Sequence, residues 1–199
     1  MQQRGFTLIE AMVVVAILAV LAVVAAPGLG TWMDNVRIRS TSDALQQGIQ
    51  MARAEAIRRN QSVTFWLVSH SDSNQLDNSC ELSNTHGSWV VSIDDPAKLC
   101  ATAPSTTSAP RIVASRSLAD SGASVAIEAL QDDGATAATS ITFNGFGRVV
   151  NASTAIGQIN ITGPQSDASY KDLRVQVSPA GQVRLCEPGI STTGDPRKC

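Results

Sequence analysis

Glu10 is the one charged residue in an apolar run that extends from Phe6 to Ala26. At about 1.5 Å of helical rise per residue this run covers about 30 Å, the thickness of a bilayer's hydrocarbon core. A carboxylate placed deep in lipid costs about 2.5–3.5 kcal/mol on insertion scales, so a glutamate there implies a task. The chemistry open to it is capture of a cationic partner in a low-dielectric medium, where pairing relieves both buried charges. Elsewhere, residues suited to reactions are sparse. His70 and His86 are the two histidines, both in polar sequence, and neither a nucleophile elbow nor a phosphate-cradling glycine loop occurs. Cys80, His86 and Cys100 can be drawn as a metal set, but their spacing follows no zinc pattern. Asp94-Asp95 and Asp132-Asp133 read as turn residues, not as paired acid–base carboxylates. The chain reads as a non-enzyme without a cofactor.

The elements that must carry Glu10 follow from the rest of the chain. Its 199 residues suit one anchor and one domain, and a net charge of −2 argues against general binding to nucleic acid or anionic surfaces. A secretory signal peptide would explain Met1–Arg4 and the small residues Val24-Ala25-Ala26. Pro27 fits that cleavage site poorly, however, and the run is longer than a signal's apolar region. A plain anchor explains the length but not Glu10. Pro27, Gly28 and Gly30 mark a kink or melted joint where the span ends. From residue 31 to 60 the pattern becomes amphipathic: Ile38, Leu45, Ile49, Ala52 and Ala56 form a stripe to be buried. Arg37, Arg39, Asp43, Arg53, Glu55, Arg58 and Arg59 supply the polar faces, and Gly48 is a weak point.

After Asn60 short β-branched or aromatic runs take over, bounded by polar turns. They comprise 63–68, 89–93, 111–113, 125–127, 141–143, 148–150, 158–161 and 173–177. The last turns at Ser178-Pro179-Ala180-Gly181 into 182–185, a closing hairpin, and Asn144-Gly145 marks another tight turn. The expected fold is α+β, a long helix covering one face of an antiparallel sheet or sandwich. Residues 69–88, 101–110 and 190–198 are too polar to be elements. Cys80, Cys100, Cys186 and Cys199 all lie beyond the anchor, and an even count there reads as two disulfides in an oxidising compartment. Three connectivities are open; the nearest-neighbour one, 80 with 100 and 186 with 199, is the expectation.

Gly5-Phe6-Thr7-Leu8-Ile9-Glu10 resembles the processing site of type IV pilins and secretion pseudopilins. The resemblance implies a leader of residues 1–5, cleavage after Gly5 by a prepilin peptidase, and methylation of the new amine on Phe6. Glu10 would neutralise the N-terminal amine of a neighbouring subunit, and Pro27 matches a proline common in these helices. The implied division is a membrane half of the helix at 6–30, an amphipathic half at 31–60 and a periplasmic β-domain at 61–199. Losing Arg4 with the leader leaves 14 basic against 17 acidic residues. Met51–Arg59, Phe143–Val149 and Val177–Arg184 are similar to the helix end, strands and turns of the GspH/FimT/FimU group of minor pilins. A cysteine-closed tail, 186 to 199, resembles that of pilus subunits and favours them over the secretion pseudopilin.

The resemblance implies a minor pilin that helps prime assembly of a type IV pilus and sits at its tip. Partners would be other minor and major pilins, the peptidase, the inner-membrane assembly platform and the membrane itself. The subunit would wait as a single-pass inner-membrane protein before joining the extracellular fibre. Some FimT-like pilins bind DNA through a Gly-Arg-x-Arg motif. Here the matching stretch is Gly181-Gln182-Val183-Arg184, with Gln182 in place of the first arginine. Lys171, Arg174, Arg184, Arg197 and Lys198 are the candidate phosphate contacts, against Asp172, Glu187 and Asp195 nearby.

Overall fold

The computed structural model describes residues 7–69, 75–118, 125–164 and 170–199, with the backbone alone described at 22–29. Its first element is helix α1, Leu8–Arg59, 52 residues long. Thr7 caps it, the hydroxyl accepting from the Glu10 N–H at 3.3 Å. Arg58 and Arg59 complement the dipole of its last turn, and Asn60 ends it in the left-handed region at φ 50°. The helix runs unbroken through Pro27, so of the expected kink or melted joint the backbone shows no melting there. Proline's fixed φ is itself helical, and its missing N–H removes one hydrogen bond, which weakens a long helix without stopping it. The stripe of Ile38, Leu45, Ile49, Ala52 and Ala56 is fully buried.

The strands are β1 (Val63–Ser69), β2 (Glu81–Leu82), β3 (Ser88–Ser92), β4 (Ile112–Arg116) and β5 (Ala126–Leu130). They continue as β6 (Ser140–Phe143), β7 (Val149–Val150), β8 (Gln158–Thr162), β9 (Leu173–Val177) and β10 (Val183–Cys186). All pairing between them is antiparallel. The larger sheet has the order β4-β3-β1-β6-β7 with β2 also beside β1; the smaller has the order β10-β9-β8-β5. Strand β2 falls inside the stretch 69–88 that composition reads as loop. A two-residue strand is too short to show periodicity, and its pairing of Val68 with Leu82 is long-range.

Alternation places Val63, Phe65 and Leu67 of β1 and Trp89 and Val91 of β3 on the inner face, with Ile141 and Phe143 of β6. They share one core with Ile127, Ile159, Ile161 and Val175 of the smaller sheet and with the helix stripe. The helix therefore packs against both sheets, where the sequence led us to expect one sheet face. Contact is close at Gly48, where a Cβ would lie 2.7 Å from the Phe65 ring and 2.8 Å from Trp89. The weak point in the helix is thus the place where two aromatic rings need room.

The outer face of the larger sheet is also covered. Val68, Val90 and Ile112 form a second cluster with Cys80 and Cys100, and Trp66, Leu76 and Leu82 pack against it. The polar segments around Cys80 and Cys100 thus have a small core of their own, contrary to their composition. Cys80 is bonded to Cys100 and Cys186 to Cys199.

Candidate functional site

At its N-terminal end α1 presents apolar side chains with nothing over them among the described residues. Leu8 is 77 % exposed, and Ile9, Met12, Val13, Val15, Ile17, Leu18, Val20 and Leu21 are all more than half exposed. Such a surface is far larger than a soluble monomer tolerates and requires a covering, by lipid or by other helices. Glu10 is exposed within it, one turn into the helix, where the dipole favours a negative charge. Its backbone is held by the Thr7 cap, while its carboxylate points to no cation among the described residues. Gly5 and Phe6, the expected cleavage and methylation positions, lie outside the described residues. Among the described residues no helix is long and apolar enough to cross a membrane. The side chains of 22–29, which would complete the apolar run, lie outside them.

At the other end of α1 the structure builds a junction that local spacing does not reveal. Arg53 donates from Nε to the Gly147 carbonyl at 3.0 Å, tying the helix to the β6–β7 turn. Gly181, at φ +81° in the β9–β10 turn, is seated so closely on the Gly147 carbonyl that a Cβ would collide with it. The Val149 N–H donates to the Pro179 carbonyl at 3.1 Å, joining the two turns. Phe143–Val149 and Val177–Arg184 thus meet at one helix face. Phe146, at the tip of the first turn, is 84 % exposed.

Helix-surface charges beside this junction are mutually satisfied. Glu55 accepts from Arg58 at 2.6 Å and from Arg59 at 2.8 Å. The Arg58 hydrogen bond is the main cause that holds its carboxyl below the usual carboxylate range, opposed by burial and reinforced by Arg59.

Of the five candidate phosphate-binding cations, Lys171 and Arg174 line one hollow together with Glu187 of the tail. Lys171 and Arg184 lie at opposite ends of the β9–β10 hairpin, since Arg184 pairs across to Gln176. Arg184 donates to the Gln176 side chain at 2.8 Å, and Arg174 donates to Asn160 at 2.7 Å. The Asn160 amide in turn donates to Glu128 at 3.3 Å. Arg197 pairs with Asp195 at 2.9 Å and lies 3.6 Å from Glu187, while Lys198 donates to the Ser191 carbonyl at 3.3 Å. The Asp195 carboxyl is lowered chiefly by its hydrogen bond from Arg197. Gln182 is exposed immediately before β10.

The tail that carries Arg197 and Lys198 closes on itself. Cys186 ends β10 and bonds to Cys199, and the Glu187 N–H donates to the Arg197 carbonyl at 2.7 Å inside the loop.

Of the residues read for reaction chemistry, Cys80 and Cys100 are bonded to each other, which removes both thiolates from any metal set with His86. His86 Nδ1 lies 3.0 Å from the Ser83 hydroxyl. His70 lies outside the described residues. Asp94 is held by Arg111 in a two-pronged ion pair whose hydrogen bonds keep its carboxyl low. Asp95 accepts from the Ala97 N–H, and Asp133 from the Ala135 and Thr136 N–H groups, all at 2.9 Å. Hydrogen bonds from Thr136 depress the Asp133 carboxyl first of all. These are turn-capping carboxylates.

Comparison with known proteins places this geometry. A family model described as Type II transport protein GspH matches residues 41–181, and one described as the prokaryotic N-terminal methylation motif matches residues 1–26. No curated protein matches the chain. Among solved structures, the chain is similar to the type IV minor pilin FimU of Pseudomonas aeruginosa strain PAO1 in two crystal forms. The form in space group P21 gives 12 % identity and a TM-score of 0.48, over 81 % of this chain and 99 % of that one. The form in P65 gives 12 % identity and a TM-score of 0.46, over 77 % and 99 %. The GspH match spans most of the chain and the methylation motif stands at its head, so the chain belongs to the GspH family of minor pilins and pseudopilins.

Proposed function

We propose that this chain is a minor pilin that joins a type IV pilus and helps prime its assembly, taking a place at the fibre tip. The observation that carries the reading is the uncovered apolar end of α1 with Glu10 exposed in it. In this reading residues 1–5 are a leader removed after Gly5, Phe6 bears the methylated amine, and 6–30 hold the subunit in the inner membrane. Residues 31–60 and the β-domain of 61–199 stand in the periplasm until the subunit enters the fibre. Glu10 and the new amine of a neighbour are each costly alone in a dry medium and relieve one another when paired. The apolar helix leaves lipid because the same surface is re-covered by other pilin helices. Prepilin peptidase and the assembly platform act on the subunit along the way.

Glu10→Ala tests this. Processing is expected to continue while recovery in sheared fibres falls by about tenfold or more, an unpaired buried amine being left behind. Undiminished recovery would remove the role of Glu10. A mature chain still beginning at Phe6 in Gly5→Glu would remove the peptidase reading.

A secretion pseudopilin is the second reading, favoured by the description of the matched family model. The tail closed by Cys186 and Cys199 supports the pilus subunit instead. Deleting the gene separates them: loss of piliation supports the pilin, and loss of protein export with normal pili supports the pseudopilin.

A further inference from the structure

A groove of about 570 Å³ opens where α1 leaves the domain. Its helical wall is one face of α1, running from Trp32 through Val36 and Arg39 to Asp43, and its opposite wall carries Arg116 and Lys171. Trp32 is 64 % exposed and Val36 is 48 % exposed. Asp43 is already paired with Arg39 at 3.3 Å. Among the described residues the Arg116 guanidinium and the Lys171 ammonium have no partner. Lys171 is held in place through its backbone, its N–H donating to the Asn35 side chain at 2.7 Å. The groove therefore combines three cations, one carboxylate already engaged, and an uncovered indole.

We infer that this groove binds the phosphate headgroup of an anionic phospholipid while the subunit waits in the membrane. The inference rests on the reading of residues 6–30 as the membrane half of α1. From residue 30, Trp32 stands about 3 Å above the hydrocarbon edge and Asn35, which holds Lys171, about 7–8 Å. The headgroup layer is roughly 5–7 Å deep on each side, so Trp32 and Lys171 border it. Arg39 starts higher, at about 13 Å, but helical side chains lean toward the N-terminus, which brings its guanidinium back toward the lipid. An indole with one apolar body and one N–H is at home in this layer. Cations beside it attract anionic headgroups within a screening length. Trp32 and Val36 stand on the same unbroken helix just beyond its membrane half, so a lipid beside that half has its headgroup at the groove mouth.

The test uses the full chain reconstituted into nanodiscs of phosphatidylcholine, with trace spin-labelled phosphatidylglycerol or spin-labelled phosphatidylcholine. Electron paramagnetic resonance reads the fraction of each probe immobilised by protein. The wild type should hold the anionic probe several-fold more strongly, and about 0.5 M salt should abolish the preference. Arg116→Gln with Lys171→Gln should reduce it by about fivefold or more, both side chains being at the surface and free of structural pairs. Equal immobilisation of the two probes by a wild-type chain that resists carbonate extraction overturns the inference and leaves the membrane reading standing. Release by carbonate overturns both. An unchanged preference in the double variant, with reduced recovery of that variant in fibres, would make the groove a contact between chains and overturn the lipid site.

Discussion

Removing either disulfide should expose how differently the two crosslinks act. The sequence separations are 20 residues for Cys80–Cys100 and 13 for Cys186–Cys199. In the chain-entropy model each would contribute about 3 kcal/mol by restricting the unfolded chain. That amount is realised only if the same segment stays ordered when the bond is gone. Residues 80–100 are held independently: β2 pairs with β1, Asn78 accepts from the Ala101 N–H at 3.2 Å, and both cysteines are buried in the outer cluster. Cys80→Ala with Cys100→Ala should therefore lose the full entropic contribution. Removing two buried sulfur atoms adds about 1–2 kcal/mol, giving about 4–5 kcal/mol in all.

The tail from 187 to 199 is mostly exposed and packs into neither core. Freed of its bond it can fray in the native state and regain the entropy it had lost. Cys186→Ala with Cys199→Ala should then cost about 1 kcal/mol or less, with the β-domain intact. Urea unfolding of the full chain in a mild non-ionic detergent, followed by circular dichroism, compares the two variants. Equal losses, or a larger loss for the tail pair, would refute the reasoning.

Gly48→Ala should gain about 1 kcal/mol in helix propensity yet lose more from forcing a methyl group onto Phe65 and Trp89. A net loss of about 1–2 kcal/mol and a lower Tm are expected; a raised Tm would mean the rings can move aside. Glu55→Gln should cost about 1 kcal/mol near neutral pH. The folded Glu55 carboxyl is depressed from its ordinary 4.5, so its contribution is present above that value and disappears as pH falls through the lower folded one. Wild type and variant should thus converge as the pH falls, and a difference that does not shrink in acid would contradict the pairing. Titration with duplex DNA should show no complex tighter than micromolar at about 0.15 M salt, because Arg174, Arg184 and Arg197 are engaged within the domain. A tighter complex that Arg184→Ala abolishes would support the DNA-binding reading.

Elements with strong local periodicity were legible in the chain. The buried stripe from Ile38 to Ala56 needed only the 3.6-residue repeat, and β1, β8 and β9 needed only β-branched runs bounded by turns. The hairpin at Ser178–Gly181 followed from its turn residues, and it forms with Val183 opposite Val177. Strand β2 and the outer cluster were not legible, since Leu76, Leu82 and the two cysteines are scattered among Ser, Asn and Asp. Their apolar character matters only once Val68, Val90 and Ile112 are brought beneath them.

For function the division is similar. The sequence by itself determined the family-level chemistry: a glycine, a phenylalanine and a glutamate in fixed spacing at the head of an apolar helix, because that signal lies within six consecutive residues. Tertiary structure alone decided that Arg53, Gly147 and Gly181 form one junction, and that Arg184 is engaged by Gln176. It alone set Trp32, Arg116 and Lys171 around one groove. Those residues lie tens of positions apart, and no periodicity encodes which side chains two sheets and a helix will bring together; only the packed core specifies it.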